Sequence, residues 1–263
     1  EADKLISLKS DINALFNSPV LGYNSKDDIV YQFWANRDSH EVYYFDPKTD
    51  YAPTTAISSI SWDDPNFPNI EGFGVWAAKC NFTMGPDGKM YSRMLGGNLV
   101  RIDVENARGE NLTNGDLVGT KDGSAYGLVF DPQDENVFYF SNNDKHCIYK
   151  YDLRTKECAC WAGQEGKSGY LDGPIGQAMF NKPGQMCVDS EGNIILTDTE
   201  NHCIRKITMS TGYVSTLAGK PQNSGYVNGS AEDAQFKKPL GICIDNDDVM
   251  YIGDSENRAI RRL

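Results

Sequence analysis

The chain has 263 residues, a formal net charge of −12 and 11% aromatic residues, and this length suits one large all-β domain or two small ones. The acidic balance argues against a nucleic-acid partner or an anionic membrane surface, because both require clustered Lys and Arg. No apolar stretch reaches about 18 residues, so the sequence predicts no membrane insertion. Because Glu1 is not a native start, we expect that a leader or a preceding domain has been removed.

The N-terminal part of the chain consists of short β-like runs separated by tight turns. Residues 4–9 (KLISLK) form one run with no partner strand nearby. Four runs follow: PVLGYNS, IVYQFWANRD, HEVYYFD and TTAISSI. None has helical spacing, so they predict a four-stranded antiparallel meander. Residues 61–75 are rich in Pro and Gly and are interpreted as a connector.

Two less regular meanders are predicted before residue 163. The first has a turn at 85–88 and NLVRID as its third strand, and its weakly marked fourth strand is predicted near 116–118. The second begins near Ala125 and has two extra residues in its first turn, at 131–136.

The rest of the chain is built from a repeated unit. One copy begins at Phe180 and the next at Phe236, which gives a period of 236 − 180 = 56 residues. The first copy contains four strand-like runs, at 185–189, 193–198, 202–208 and 213–217. A lone meander cannot bury both of its faces, so the copies must stack. A fixed period with four strands in each copy is typical of the blades of a β-propeller.

The repeated unit also resembles a known family. FNKPGQMCVDSEGNIILTDTENHCIRKI has Pro-Gly at its start, then Asp-x-x-Gly-Asn, then Asp-x-x-Asn-His-x-Ile-Arg, and it is similar to an NHL repeat. PLGICIDNDDVMYIGDSENRAIRRL follows the same pattern, without the Gly-Asn pair and with Arg258 in place of His. The spacer TLAGKPQNSGYVNGSAEDAQF resembles the linkers of bacterial envelope-associated NHL proteins. The resemblance is close over 124–263. It implies a β-propeller fold and a secreted or cell-envelope location, in a family that includes both binding platforms and enzymes.

The predicted architecture is a single all-β domain, 1–263, with antiparallel four-stranded blades. Blade starts near 19, 79, 125, 183 and 239 predict five blades, and six, the commoner number in NHL-like propellers, is the alternative. The last copy stops at Leu263 after its third strand. We expect residues 4–9 to supply the missing strand and close the last blade, because this would remove two exposed sheet edges at once.

Several candidate functional residues have a structural explanation. Asp198 and Asp254 recur with the repeat, so we interpret them as turn stabilisers rather than ligands of a cation. His40, His146 and His202 are the only histidines. Because the repeat accounts for two of them, the sequence predicts no metal site and no cofactor.

The seven cysteines are an odd number, which excludes a complete disulfide framework. Those at equivalent repeat positions, Cys147 with Cys203 and Cys187 with Cys243, are interpreted as small buried hydrophobic residues.

The ligand contacts are expected where the chain departs from the repeat. Long polar loops on a rigid scaffold usually carry function, and exposed aromatic residues can stack on sugars or anchor a protein partner. The sequence therefore predicts a monomeric, non-catalytic module that binds a glycan or a protein on its loop face, the face on which the loops between the second and third strands of each blade and the spacers between blades emerge. The alternative is a propeller lyase or hydrolase with its site at the mouth of the central channel. The predicted contact residues are Trp34, Asn36, Arg37, His40, Trp62, Trp76, Met94 and Asn98.

Overall fold

The computed structural model describes the chain in two ways. Between residues 20 and 62 it describes the backbone of five strands, and it describes residues 83–93, 97–103, 106, 108–113 and 126–263 with their side chains. The described residues fall into two compact units, one within 1–95 and 99–111 and the other within 96–98 and 112–263. The prediction of a single domain stays a prediction.

The first sheet of the first unit confirms the first predicted meander. Its strands are hydrogen-bonded in the order β1-β2-β3-β4, and every pair is antiparallel. A register shift between Val42 and Tyr43 marks a β-bulge in the β3–β4 pair. The strands are β1 (Val20–Asn24), β2 (Ile29–Ala35), β3 (Val42–Phe45) and β4 (Pro53–Ile57).

The second sheet of this unit corrects two predictions. It has the order β5-β9-β8-β7-β6, so its fourth strand is β9 rather than a strand near 116–118, a stretch outside the described residues. Strand β5 comes from the supposed connector and pairs with β9 in parallel. The strands are β5 (Ser61–Trp62), β6 (Thr83–Met84), β7 (Met90–Arg93), β8 (Leu99–Asp103) and β9 (Arg108–Asn111).

The reason for the wrong position of β9 is its composition. Its sequence, RGEN, has no apolar alternation, and its pairing depends on its neighbour instead. Arg101 of β8 donates a hydrogen bond from Nε to Glu110 Oε2 at 3.1 Å, directly across the strand pair. Opposite charges that face each other in this way stabilise a strand pair, but a pattern of hydrophobic residues does not reveal them.

The second unit contains three consecutive antiparallel sheets. Their orders are β10-β11-β12-β13, β14-β18-β17-β16-β15 and β19-β20-β21. The first consists of β10 (Leu128–Phe130), β11 (Val137–Asn142), β12 (Cys147–Asp152) and β13 (Cys158–Gly163). The second consists of β14 (Gly173–Pro174), β15 (Pro183–Val188), β16 (Ile194–Asp198), β17 (Cys203–Thr208) and β18 (Tyr213–Ala218). The third consists of β19 (Pro239–Ile244), β20 (Met250–Asp254) and β21 (Ala259–Arg262).

Side chains on both faces of the middle sheet are buried. Ile194 and Leu196 of β16 belong to an apolar cluster shared with the preceding sheet, which includes Val129. Ile195, on the opposite face of the same strand, belongs to a second cluster shared with the following sheet, which includes Ile242. Since successive strand residues point to opposite faces, one short strand contributes to two cores. The sheets of this unit therefore pack face to face, as the blades of a β-propeller do.

The described residues do not show five complete four-stranded blades. Four of the sheets have four or five strands, and the last, β19–β21, has three. The strand expected to complete it, residues 4–9, lies outside the described residues, so the number of blades and the closure stay predictions. In the part of the chain that the structure describes, no helix has the length and apolar composition needed to cross a membrane.

Candidate binding face and its repeated scaffold

Asp198 organises the turn that follows β16 on the loop face. Its carboxylate accepts hydrogen bonds from the Asn181 main-chain N–H at 2.7 Å, the Asn201 amide at 2.8 Å and the Arg205 guanidinium at 2.7 Å. Burial raises the pKa of Asp198 to about 6, while Arg205 and the other donors act in the opposite direction. The side chain is therefore ionised at neutral pH. The predicted role of Asp198 as a turn stabiliser is confirmed.

Arg205 connects this turn to the long spacer that precedes β15. The guanidinium is fully buried, donates to the main-chain oxygen of Leu171 at 2.9 Å and forms an ion pair with Asp172 at 2.7 Å. It also lies 4.9 Å from the ring centroid of Tyr170 and 5.1 Å from that of Phe180, within the range of cation–π attraction. The spacer on the loop face is therefore held by a buried charge.

The last copy repeats this arrangement with one change. Asp254 forms an ion pair with Arg261 at 3.0 Å, as Asp198 does with Arg205. Arg261 then donates to the Asn228 side-chain oxygen at 2.8 Å, at the position where the preceding copy has a carboxylate. In both copies, the consensus charged residues are occupied by bonds that hold the scaffold.

The two repeat histidines link neighbouring sheets. His146 Nδ1 accepts a hydrogen bond from the Lys182 main-chain N–H at 3.1 Å, and His202 Nδ1 accepts one from the Lys238 N–H at 3.2 Å. Burial lowers the pKa of His146, which favours the neutral imidazole that this bond requires. Within the described residues, no group of three or more His, Cys, Asp and Glu side chains could hold a metal ion.

The predicted contact residues are only partly described. Trp34 lies on β2 and Trp62 on β5, in different sheets. Asn98 precedes β8 and is 8% exposed, and its Oδ1 accepts a hydrogen bond from the Thr113 hydroxyl at 3.3 Å. The contact surface as a whole stays a prediction. The remaining residues, Asn36, Arg37, His40, Trp76 and Met94, lie outside the described residues.

The cysteine prediction is confirmed at two positions and wrong at one. Cys147 and Cys203 are fully buried, whereas Cys243 is exposed. Its counterpart Cys187 packs against the core cluster shared with the following sheet. The difference arises because burial of this position depends on the neighbouring sheet and not on the strand itself.

Sequence reasoning did not identify an open groove beside β21. Ile260 is 75% exposed, whereas Ile204, at the same position of the preceding copy, is fully buried next to β18. The exposed Tyr226 and the three-stranded edge border a cavity of about 370 Å³. The cavity is lined by Tyr226, Asn228, Gly229, Ser230, Ala231, Ala234, Phe236, Ile260, Arg261, Arg262 and Leu263.

Comparison with curated proteins finds two kinds of relative. The chain is 25% identical over 271 residues to Protein SUPPRESSOR OF QUENCHING 1, chloroplastic, of Arabidopsis thaliana, covering 95% of this chain and 25% of that protein. It is 30% identical over 149 residues to NHL repeat-containing protein 2 of Gallus gallus, covering 56% of this chain and 19% of that protein. The chain thus spans a quarter or less of the length of these two relatives.

Comparison with solved structures shows the fold. A Bacteroides thetaiotaomicron protein of unknown function matches with a TM-score of 0.74 at 23% identity, over 95% of this chain and 59% of that one. An auxiliary nutrient binding protein of Bacteroides ovatus matches with a TM-score of 0.69 at 20% identity, over 92% of this chain and 58% of that one.

A family model supports the same conclusion at the level of sequence. The model for the NHL repeat matches residues 180–207, which include β15, β16 and most of β17. The antiparallel sheets, the repeated Asp–Arg turn and the similar proteins all agree with this match. Residues 180–207 match an NHL repeat, and the chain has the fold of a β-propeller.

Proposed function

We propose that the protein is a non-catalytic recognition module, secreted or in the cell envelope, that binds a glycan or a protein partner on its loop face as a monomer. The observation that supports this proposal is that the charged side chains of the repeat are engaged in holding the scaffold. Asp198, Arg205, Asp254 and Arg261 hold turns and spacers, and a group fixed in this way is not available to transfer protons. What the scaffold provides is a rigid platform for loops.

Two of the structural neighbours support a binding role. The Bacteroides ovatus neighbour is an auxiliary nutrient binding protein, and a second protein of that description, from Bacteroides thetaiotaomicron, matches with a TM-score of 0.61. Both sequence identities are below 25%, so the likeness to these neighbours indicates the fold of this chain and only suggests its role. A nutrient-binding role at the envelope would fit an oligosaccharide as the ligand.

The proposed contact surface lies in the part of the chain that departs from the repeat. Residues that recur in each copy are needed for the packing of one sheet on the next. Ligand contacts are therefore expected among the residues that do not recur. Trp34, Trp62 and Trp76 precede the regular copies, and tryptophan is enriched at binding hot spots. The full proposed set adds Asn36, Arg37, His40, Met94 and Asn98.

A panel of oligosaccharides tested by tryptophan fluorescence would examine this proposal. For any oligosaccharide that binds, we expect Trp62→Ala and Trp76→Ala to weaken the affinity about tenfold or more, since a hot-spot side chain contributes about 2 kcal/mol. Trp161→Phe is the matched control, because Trp161 packs on Tyr139 at 4.2 Å between ring centroids and should leave the affinity unchanged. Binding that survives both alanine substitutions, or that maps to 219–238, would contradict the proposed surface.

We also infer that residues 4–9 close the last blade by adding a fourth strand beside β21. In the preceding copy β18 occupies this place, and its Ala218 lies opposite the buried Ile204. The equivalent Ile260 is exposed in the described structure and borders the groove. Residues 4–9 (KLISLK) contain three apolar residues, Leu5, Ile6 and Leu8, which are suited to cover it.

Deleting residues 1–10 should therefore destabilise the protein. We expect a loss of about 1.5–3 kcal/mol or more in the free energy of unfolding, the value of burying one side chain of the size of Ile260. An uncovered edge should also promote aggregation. Urea unfolding and light scattering measure both effects. Deleting only residues 1–3 is the control and should change neither. If the longer deletion unfolds at the same urea concentration as the intact chain, residues 4–9 are not part of the sheet.

A further inference from the structure

The end of the spacer 163–182 is held by two side chains that accept hydrogen bonds from consecutive main-chain N–H groups. The Asn181 N–H donates to Asp198 Oδ1 at 2.7 Å, and the Lys182 N–H donates to His146 Nδ1 at 3.1 Å. Asp198 ends β16 of the same sheet, whereas His146 precedes β12 of the preceding sheet. The imidazole bond therefore ties the end of the spacer to the neighbouring sheet.

The end of the spacer 219–238 is held in the same way, one sheet further along. The Lys237 N–H donates to Asp254 Oδ1 at 2.7 Å, and the Lys238 N–H donates to His202 Nδ1 at 3.2 Å. The four residues that the two imidazole bonds join all have positive φ, between 49° and 60°. Non-glycine residues keep this conformation only where their surroundings hold it, so each imidazole bond stabilises a strained turn.

Both imidazole bonds require a neutral ring. The donor in each bond is a main-chain N–H, so Nδ1 must be the acceptor, and a protonated imidazole carries a hydrogen on both ring nitrogens and accepts at neither. The last copy has Arg258 at the histidine position, and a guanidinium has no acceptor either. Two of the three copies therefore carry a bond that depends on the protonation state of its acceptor.

The surroundings of His146 favour the neutral ring. Burial lowers the pKa of His146 most, the charge of Lys182 lowers it further, and the charge of Asp144 acts in the opposite direction. The spacer also contacts this turn, because the Gly166 N–H donates to the Lys145 main-chain oxygen at 2.8 Å. The other charged residues on these two segments are Lys145, Glu165 and Lys167.

The surroundings of His202 contain charges of both signs. Lys238, which donates to the ring from its main chain, forms ion pairs through its side chain with Glu200 at 3.3 Å and Glu256 at 3.2 Å. Among the described residues, neither repeat histidine forms an ion pair with a carboxylate that would fix its protonated form. The other charged residues on the segments in contact with this turn are Lys220 and Lys237.

We propose that His146 and His202 form an acid-sensitive latch, which holds the ends of the two spacers on the loop face at neutral pH and releases them when the imidazoles are protonated. Each ring takes up one proton from solvent, and the main-chain N–H of Lys182 or Lys238 loses its acceptor. The ends of the spacers are then held by the carboxylate bonds alone. The loop face is therefore more mobile in acid than at neutral pH. The latch does not depend on the proposed ligand-binding role.

The direction of the pH dependence follows from the lowered pKa of His146. A histidine whose pKa is lowered by folding stabilises the native state above its ordinary pKa of about 6.5, and this stabilisation is lost as the pH falls through the lowered value. Asp198 acts in the opposite sense, because burial raises its pKa to about 6 and the native state then binds a proton more readily than the unfolded chain. The overall stability mixes the two effects, whereas the two amide groups report on the latch alone.

Hydrogen exchange of single main-chain amides in the unaltered chain, measured by NMR from about pH 7.5 to about pH 5, provides the test. We expect the amides of Lys182 and Lys238 to lose protection about tenfold on acidification, the factor that corresponds to one hydrogen bond. Each loss should coincide with the titration of the histidine that accepts the bond, followed by its ring protons. The amide of Lys237, which donates to a carboxylate, is the matched control and should keep its protection.

The double variant His146→Arg, His202→Arg gives a second measurement. Arg258 has φ 52° at the equivalent position, so the turn accommodates an arginine. The amides of Lys182 and Lys238 should then be as weakly protected at neutral pH as they are in acid. Two outcomes would overturn the proposal. One is that both amides of the unaltered chain keep their protection through the histidine titrations, which does not depend on whether the variant folds. The other is that the variant still loses their protection only in acid.

Discussion

Replacing Arg205 with methionine should reduce the free energy of unfolding by about 3–5 kcal/mol, because it leaves the fully buried carboxyl group of Asp198 without its charged partner. The substitution also removes the bonds to Leu171 and Asp172 that hold the spacer. Methionine keeps much of the apolar length of the arginine side chain, so the effect reports on the lost charge more than on a cavity. Urea unfolding followed by circular dichroism measures the change.

Arg154→Met is the matched control for this prediction. Arg154 forms ion pairs with Asp134 and Asp152 at 2.7 Å, but its side chain is 53% exposed, and exposed pairs contribute about 0–1 kcal/mol. If Arg205→Met lowers the free energy of unfolding no more than Arg154→Met does, the buried ion pair does not stabilise the fold.

A double variant separates the loss of charge pairing from the loss of packing. The sheet β10–β13 has Asn142 and Tyr149 at the positions of Asp198 and Arg205, so the fold accepts an uncharged pair there. Adding Asp198→Asn to Arg205→Met removes the buried carboxylate and should recover part of the lost stability. A double variant that is less stable than Arg205→Met would show that the carboxylate stabilises the turn without its partner.

The sequence predicts the fold best where the pattern repeats itself. Strands β15–β18 and β19–β21 lie close to their predicted positions. The two copies share the same alternation of apolar and polar residues and the same turn residues, so the strand positions in one copy support those in the other. The turn role of Asp198 follows from the same recurrence. By contrast, β9 is formed by RGEN and is held by pairing with β8. A strand without apolar alternation depends on its neighbour, which a local pattern does not show.

The candidate site is harder to predict for the same physical reason. The exposure of Cys243 and Ile260 depends on which sheet or strand covers them, and not on their own sequence context. The tryptophan surface stays a prediction, because most of its residues lie outside the described residues.

Gly127→Ala is expected to have the second large effect on stability. A Cβ atom at this position would lie 2.6 Å from the Met186 main-chain nitrogen and 3.0 Å from Gln185 Cα, both in the backbone of β15. Backbone cannot turn aside as a flexible side chain can, so the two sheets must separate locally. Overpacking of this kind costs about 1–3 kcal/mol, which urea unfolding would detect. Gly176→Ala is the control, since no atom lies within 4 Å of a Cβ atom there, and it should be close to neutral.

The outcome at Gly127 also tests how closely the first strands of neighbouring sheets approach. The Gly127 N–H donates to Ser141 Oγ at 3.1 Å, and the Tyr126 N–H donates to the same atom at 3.3 Å. A displacement of β10 away from β15 would disturb both hydrogen bonds. The decrease in the free energy of unfolding should therefore exceed that caused by the steric contact alone. Ser141→Ala alone removes the acceptor without adding bulk and should cost less than Gly127→Ala. If the two substitutions cost the same, the acceptor bonds and not the close approach of the strands would account for the need for glycine.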